Sequence, residues 1–169
     1  MNIKYRPEID GLRAISVIAV IIYHLKVTLF GQKFLEGGYL GVDIFFVISG
    51  YLITQMILNE IQSTNNFNFK NFYSRRIRRL LPILLVVIIF SIPLGWKYML
   101  PTDFMELSKS TISSIFFSSN FYFYFSGVEY IKQDSLLQPL LHTWSLSVEE
   151  QFYIIFPIFF YFIYKKFNS

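Results

Sequence analysis

Apolar runs close to the length of a membrane crossing recur along this chain of 169 residues. The first is interpreted as a helix from Asp10 to Phe30, and a last run ends near Tyr164. The intervening runs cover about Gly38–Leu58, Leu80–Trp96 and Leu107–Phe125. About 20 apolar residues cross a hydrocarbon core as an α-helix. The pattern therefore predicts an all-α, polytopic transmembrane helix bundle with about four to five membrane helices.

The composition supports this class. Hydrophobic residues make up 54% of the chain and charged residues only 15%, whereas a soluble domain carries about 25% charged residues. The chain has no cysteine, which excludes disulfides, thiolate metal sites and a cysteine nucleophile. It has no phosphate-binding glycine loop and no zinc-spaced histidine set, so no metal site is predicted. The net charge of +4 lies beside apolar runs, which favours topology signalling over nucleic-acid binding.

Two basic clusters predict the orientation in the membrane. Lys4, Arg6 and Arg13 lie at the amino end of the first run, and a polar linker over 59–73 leads to a dense group of arginines. That group, the arginine cluster, consists of Arg75, Arg76, Arg78 and Arg79. Cytoplasmic loops are enriched in Lys and Arg, so the amino terminus is expected inside, although five crossings would then place Lys165 and Lys166 outside. A cleaved signal peptide is the alternative for the first run, but it offers no small-residue cleavage site.

The first run carries two ionisable residues on one face. Arg13 and His24 are eleven residues apart, which on a helix is a rise of about 16 Å and a net rotation of about 20°. Ionisable groups inside a bilayer are expensive and usually face a protein interior or a wet cavity. We therefore expect a functional site on this face. Asp10 lies one turn from Arg13 and is expected to pair with it.

The second and last runs add further candidates. Gly37 and Gly41 form a small-xxx-small pair, which predicts close approach of another helix. Asp43 follows, either as an ordinary interfacial acid or as part of a site. In the last segment a helix would place three polar side chains on one face: His142, Ser145 and Glu149.

Three motifs in order resemble the acyltransferase 3 family of integral membrane O-acyltransferases. The first is Tyr5–Ala14 followed by His24, which fits the family's pattern of a basic residue and a histidine after ten further residues. The second is Gly38–Thr54 together with Phe72–Pro82, and the third is His142–Tyr153. The resemblance implies that residues 1–169 are the amino-terminal part of a domain of about ten membrane helices, with no separate soluble domain.

The resemblance implies transfer of an acyl group, usually acetyl, from acyl-CoA inside the cell to a sugar hydroxyl of a cell-wall or cell-surface polysaccharide. Acyl-CoA is then a co-substrate, and no tightly bound cofactor is expected. The implied partners are the bilayer of a bacterial plasma membrane, a surface glycan and the missing carboxy-terminal half. The alternatives are a truncated, non-functional fragment and a transport or binding protein in which the same residues line a path without chemistry.

The chemistry of the residues suggests their roles. An alcohol needs a base to remove its proton, and His24 is the best candidate because imidazole is the side chain that titrates near neutral pH. The alternative is a histidine that is bonded to a neighbouring helix for packing. Arg13 is a catalytic candidate on the first helix and, like the arginine cluster, a candidate to hold CoA phosphates. Glu149 and Glu150, with Glu150 preferred, orient an imidazole or relay a proton, or form a solvated acidic pair at a helix start. The arginine cluster suits CoA phosphates, because guanidinium groups bind phosphate in a bidentate manner, or it contacts anionic lipid. Asp10, Asp43, His142 and Ser145 are expected in substrate or structural support.

Overall fold

The computed structural model describes residues 6–127 and 138–167. Within these ranges the chain forms six α-helices, one β-hairpin and a short 3-10 helix, Glu36–Leu40. The helices are α1 Pro7–His24, α2 Gly41–Thr64, α3 Phe69–Tyr98, α4 Pro101–Ile115, α5 Ser119–Phe125 and α6 Thr143–Phe167. The hairpin pairs β1 Thr28–Leu29 with β2 Gln32–Lys33 in antiparallel register. The predicted all-α class is confirmed.

Three helical stretches are long and apolar enough to cross a membrane: Glu36–Thr64, Phe69–Tyr98 and Thr143–Phe167. Most of their surface faces outward; only 11% of the apolar window in Phe69–Tyr98 is buried, for example. This burial pattern is the reverse of a soluble helix and suits contact with lipid. The structure thus confirms a membrane helix bundle.

The boundaries of the first helix differ from the prediction. The helix ends at His24 rather than Phe30, because Lys26 adopts a left-handed backbone with φ 50° and the chain then turns into the hairpin. Phe30 and Gly31 form the hairpin turn with φ of 53° and 81°. Two consecutive positive φ angles match the twist of a two-residue hairpin.

The third helix begins eleven residues earlier than its apolar run, at Phe69 instead of Leu80. The predicted linker over 59–73 is therefore mostly wrong, since polar residues extend α2 to Thr64 and start α3. Asn68 caps α3 by accepting a 3.0 Å hydrogen bond from the backbone N–H of Asn71. Pro82 then lies inside the helix rather than in its first turn.

The predicted fourth crossing, Leu107–Phe125, is not one helix. It is divided between α4 and α5 by a break at Phe116–Ser118, where Phe117 has a φ of 50°. Hydroxyl side chains accumulate before the break and donate back to helix carbonyls, as Thr111 and Ser114 do. Such back-bonding competes with the regular helix and often bends it.

The described chain divides into two compact units, residues 1–67 with 163–169 and residues 68–162. In the first unit, α1 packs tightly against the 3-10 helix and the start of α2. A Cβ added to Gly41 would lie 2.6 Å from the carbonyl oxygen of Ser16, and one added to Gly38 would be closer still to that of Ala19. The predicted partner of Gly41, Gly37, instead faces open space apart from its own neighbour Leu40. The close-approach pair is therefore Gly38 and Gly41.

In the second unit, α6 runs antiparallel to α3. The ring of Phe69 lies 5.5 Å from that of Tyr161, and the Tyr73 hydroxyl donates a 2.9 Å hydrogen bond to the carbonyl oxygen of Ile154. Further along α3, an apolar cluster joins α3 to α4 and to the turn before α6: Leu84, Ile88, Leu107 and Leu140. These contacts order the start of α6 against the middle of α3.

A buried hydroxyl network joins α4, α5 and α6. Ser114 and Thr143 are hydrogen-bonded at 2.8 Å, Thr143 donates to Ser119 at 3.0 Å, and Ser119 and Ser147 are hydrogen-bonded at 2.7 Å. The Gln151 amide then donates a 2.8 Å bond to the carbonyl oxygen of Phe117, at the break itself. A side chain of α6 thus satisfies a backbone carbonyl group that the break releases from the helix.

Candidate active site

The first helix carries both Arg13 and His24. Both lie on α1, with His24 as its last residue and exposed. Arg13 is half-buried and its Nη1 donates a 3.4 Å hydrogen bond to Oδ1 of Asp10, which confirms the predicted pairing. The ring of His24 lies edge-to-face on that of Tyr23, with 5.4 Å between centroids. The imidazole therefore lies at the carboxyl end of α1, and the guanidinium of Arg13 lies about two turns from its amino end.

The environment of His24 includes aromatic residues that sequence reasoning did not select. Tyr23 contacts Tyr39 of the 3-10 helix edge-to-face at 5.7 Å. Gly38 permits this contact, because its missing side chain leaves room for the Cβ of Tyr23. The end of α1 that carries His24 is thus held by the 3-10 helix.

Two other residues of the first unit have local explanations. Asp43 is exposed in the first turn of α2, where a carboxylate stabilises the helix dipole. Arg6 is bridged to Glu8 at 2.9 Å, and its guanidinium donates to the Tyr51 hydroxyl of α2. The contact from Arg6 to Tyr51 was not predicted, since it joins residues 45 positions apart.

In the second unit, the arginine cluster lies on one helix but its members differ. Arg75, Arg78 and Arg79 are exposed, whereas Arg76 is half-buried. The Arg76 guanidinium lies 4.2 Å from the centre of the Tyr153 ring and 5.7 Å from that of Phe72. The arginine cluster therefore has one member, Arg76, that is packed against α6.

The acidic pair of the third motif is divided between two environments. The Tyr153 hydroxyl donates to Oε1 of Glu149. Glu150 is only 8% exposed, and its Oε1 has no hydrogen-bond partner among the residues that the structure describes. The charge of Arg76 acts on the Glu150 carboxylate. The structure thus brings Arg76, Glu149 and Glu150 together in one unit.

The predicted common face of His142, Ser145 and Glu149 is wrong, because α6 begins at Thr143. His142 lies in the preceding turn and is exposed, and its carbonyl oxygen accepts a 3.1 Å hydrogen bond from Ser145. Ser145 therefore stabilises the start of α6. Over 6–127 and 138–167, no group of three or more His, Cys, Asp or Glu side chains is placed to hold a metal ion.

A second polar group lies between α4 and α5. Glu106 accepts a 2.8 Å bond from Lys109 and another from the Tyr122 hydroxyl. The hydrogen bond from Lys109, and next the one from Tyr122, lower the pKa of Glu106. Burial, and next the Glu106 carboxylate, raise the pKa of Tyr122. The hydroxyl of Tyr122 thus stays protonated and ties α5 to α4.

Comparison with known proteins identifies the family. A family model described as an acyltransferase domain matches residues 6–169. O-acetyltransferase OatA of Staphylococcus aureus (strain NCTC 8325 / PS 47) is 40% identical over 167 residues, which cover 98% of this chain and 26% of that protein. A second S. aureus protein, SAS0844 of strain MSSA476, is 42% identical over 157 residues, or 93% of this chain and 25% of that protein.

The chain spans about a quarter of the length of the curated relatives it matches. No solved structure matches the sequence. The match to the family model nevertheless covers nearly all of the chain and agrees with the three motifs. The chain belongs to the acyltransferase 3 family of membrane O-acyltransferases.

Proposed function

We propose that the chain is the amino-terminal part of a membrane O-acetyltransferase that transfers an acetyl group from acetyl-CoA to a sugar hydroxyl of a cell-surface polysaccharide. The observation that carries this proposal is the 40% identity to O-acetyltransferase OatA over 98% of the chain. The exposed imidazole at one end of α1 and the arginine cluster at the start of α3 supply the types of side chain that the reaction needs.

In the proposed reaction, His24 removes the proton of the sugar hydroxyl as the sugar oxygen attacks the thioester carbonyl carbon. A tetrahedral oxyanion forms and then collapses, the carbon–sulfur bond breaks, and CoA leaves as a thiolate that takes up a proton. A general base of this kind contributes about 10²–10⁴-fold to the rate. Arg13 and the arginine cluster contribute positive charge, for the oxyanion and for the CoA phosphates respectively.

We further propose a plasma-membrane location with the amino terminus in the cytoplasm. The arginine cluster follows two predicted crossings, and α6 runs back towards the end at which α3 begins. Lys165 and Lys166 lie at the carboxyl end of α6. A break between α4 and α5 instead of a full crossing gives the direction of α6 that the positive-inside rule favours.

The test is transfer of radiolabelled acetyl from acetyl-CoA to cell-wall polysaccharide in membranes that contain this chain together with the carboxy-terminal part of a relative. His24→Ala is expected to lose at least about 100-fold in rate while inserting normally. Lys26→Ala, an exposed neighbour beyond the helix end, is the matched control and retains the rate. Transfer that survives His24→Ala would remove the proposed base, and acetyl movement without transfer would indicate a transport protein.

A further inference from the structure

We propose that Arg76 is the phosphate-selecting arginine of the cluster and that Tyr153 and Glu149 are positioning residues that hold it ready for a phosphate of acyl-CoA. This inference rests on the proposed function and deepens it by naming one recognition element. It also gives the third motif a role in binding the acyl donor. All of the residues involved belong to the same compact unit.

Arg76 is held in a fixed position. One face of its guanidinium is covered by the Tyr153 ring at 4.2 Å, and the Phe72 ring lies 5.7 Å away. A guanidinium stacked on an aromatic ring keeps its N–H donors at the edge of the plane, because the ring contacts only the face. Arg76 makes no hydrogen bond to any residue in the described ranges. Its donor edge therefore remains available to a ligand.

The Tyr153 ring is itself held in place by a hydrogen bond. Its hydroxyl donates to Glu149 one turn earlier on α6, which fixes the ring on which Arg76 rests. Glu150, three residues before Tyr153, is buried, and its carboxyl group interacts electrostatically with Arg76. A fixed arginine loses less side-chain entropy when it binds, so it binds more tightly than a mobile one.

Arg76 differs from the other arginines of the cluster in its burial. Arg75, Arg78 and Arg79 are exposed, so they raise the local positive potential without a fixed geometry. Fork-shaped donors bind a phosphate through two parallel bonds, and lysine cannot reproduce this pattern. An Arg→Lys change should therefore weaken CoA binding far more at Arg76 than at Arg75. An anionic lipid headgroup offers the same phosphate chemistry, and the experiment has to separate the two sources.

The experiment measures binding of CoA and of pantetheine, which lacks phosphates, to the chain together with the carboxy-terminal part of a relative, in phosphatidylcholine vesicles. We expect the wild type to bind CoA much more tightly than pantetheine. Arg76→Lys and Tyr153→Leu should each lower CoA affinity about tenfold or more and leave pantetheine binding unchanged. Arg75→Lys should lower CoA affinity by much less. Phe159→Leu, which removes an exposed ring from the same helix, is the matched aromatic control.

Tyr153→Phe tests the positioning role, because it keeps the ring and loses the bond to Glu149. It should fall between the wild type and Tyr153→Leu. Equal losses for CoA and pantetheine would indicate general misfolding and overturn the inference, as would equal effects of Arg75→Lys and Arg76→Lys. If Arg76→Lys leaves CoA affinity unchanged and weakens only the interaction of the chain with phosphatidylglycerol, Arg76 binds a lipid headgroup and the inference fails. A wild type that does not bind CoA would instead refute the proposed function.

Discussion

Replacing Gly41 by alanine should push α1 away from α2. The new Cβ would lie 2.6 Å from the Ser16 carbonyl oxygen and 2.8 Å from Cγ2 of Val20, inside the 3.0 Å that Cβ atoms keep from their neighbours. The Ser16 oxygen belongs to the backbone, so α1 itself has to move. Overpacking of this kind costs about 1–3 kcal/mol.

Gly50 provides the matched control, because it lies in the same helix and a Cβ there meets nothing within 4 Å. Gly50→Ala should stabilise α2 by about 0.5–1 kcal/mol, since alanine loses less backbone entropy in a helix. The two variants are therefore expected to differ by about 1.5–4 kcal/mol in the free energy of unfolding. Denaturant titration of the chain in detergent micelles, followed by far-ultraviolet circular dichroism, measures the difference. If Gly41→Ala proves as stable as Gly50→Ala, the close contact between α1 and α2 is wrong.

Other predictions concern the hydroxyl network, one ion pair and the hairpin. Ser147→Ala should cost about 1–3 kcal/mol, because it leaves the buried backbone N–H of Ser119 without its partner, while the Ser119 hydroxyl keeps its bond from Thr143; the same unfolding titration checks this. The lowered pKa of Glu106 means that its carboxylate stabilises the fold above its unfolded-state pKa and that this stability is lost as the pH falls through the folded-state value. Glu106→Gln should therefore show a smaller decrease in melting temperature between pH 7 and pH about 3 than the wild type, and an equal decrease would contradict the assignment. Phe30→Asn should raise stability by up to about 1 kcal/mol, because asparagine tolerates the left-handed backbone before Gly31; a decrease would refute the turn geometry.

The membrane helices were predictable because their signal is local. Length and hydropathy alone locate α2, α3 and α6, and the spacing of Asp10 and Arg13 predicts their pairing. The helix ends were less predictable, since polar residues such as those at 69–79 are as compatible with a helix as with a linker. The hairpin that ends α1 depends on left-handed residues such as Lys26 and Phe30, which carry no strong sequence signal.

The contacts that assemble the candidate site were the least predictable. The contact between the Arg76 guanidinium and the Tyr153 ring could not be predicted, because it depends on how α3 packs against α6. No local sequence pattern encodes that register. The small-residue spacing identified Gly41 correctly but paired it with Gly37, because the sequence does not show that a 3-10 helix turns Gly38 towards α1. A signal that was present but not used is the hydroxyl pair Thr143 and Ser147, four residues apart on α6.

The short first helix has a consequence for the membrane around it. Its 18 residues extend about 27 Å, and the apolar stretch between Arg13 and His24 covers only about 16 Å of a hydrocarbon layer about 30 Å thick. Such hydrophobic mismatch is relieved when the bilayer becomes thinner beside the helix. In the proposed membrane location, the hydrocarbon barrier beside α1 would then be about half as thick as in the surrounding bilayer.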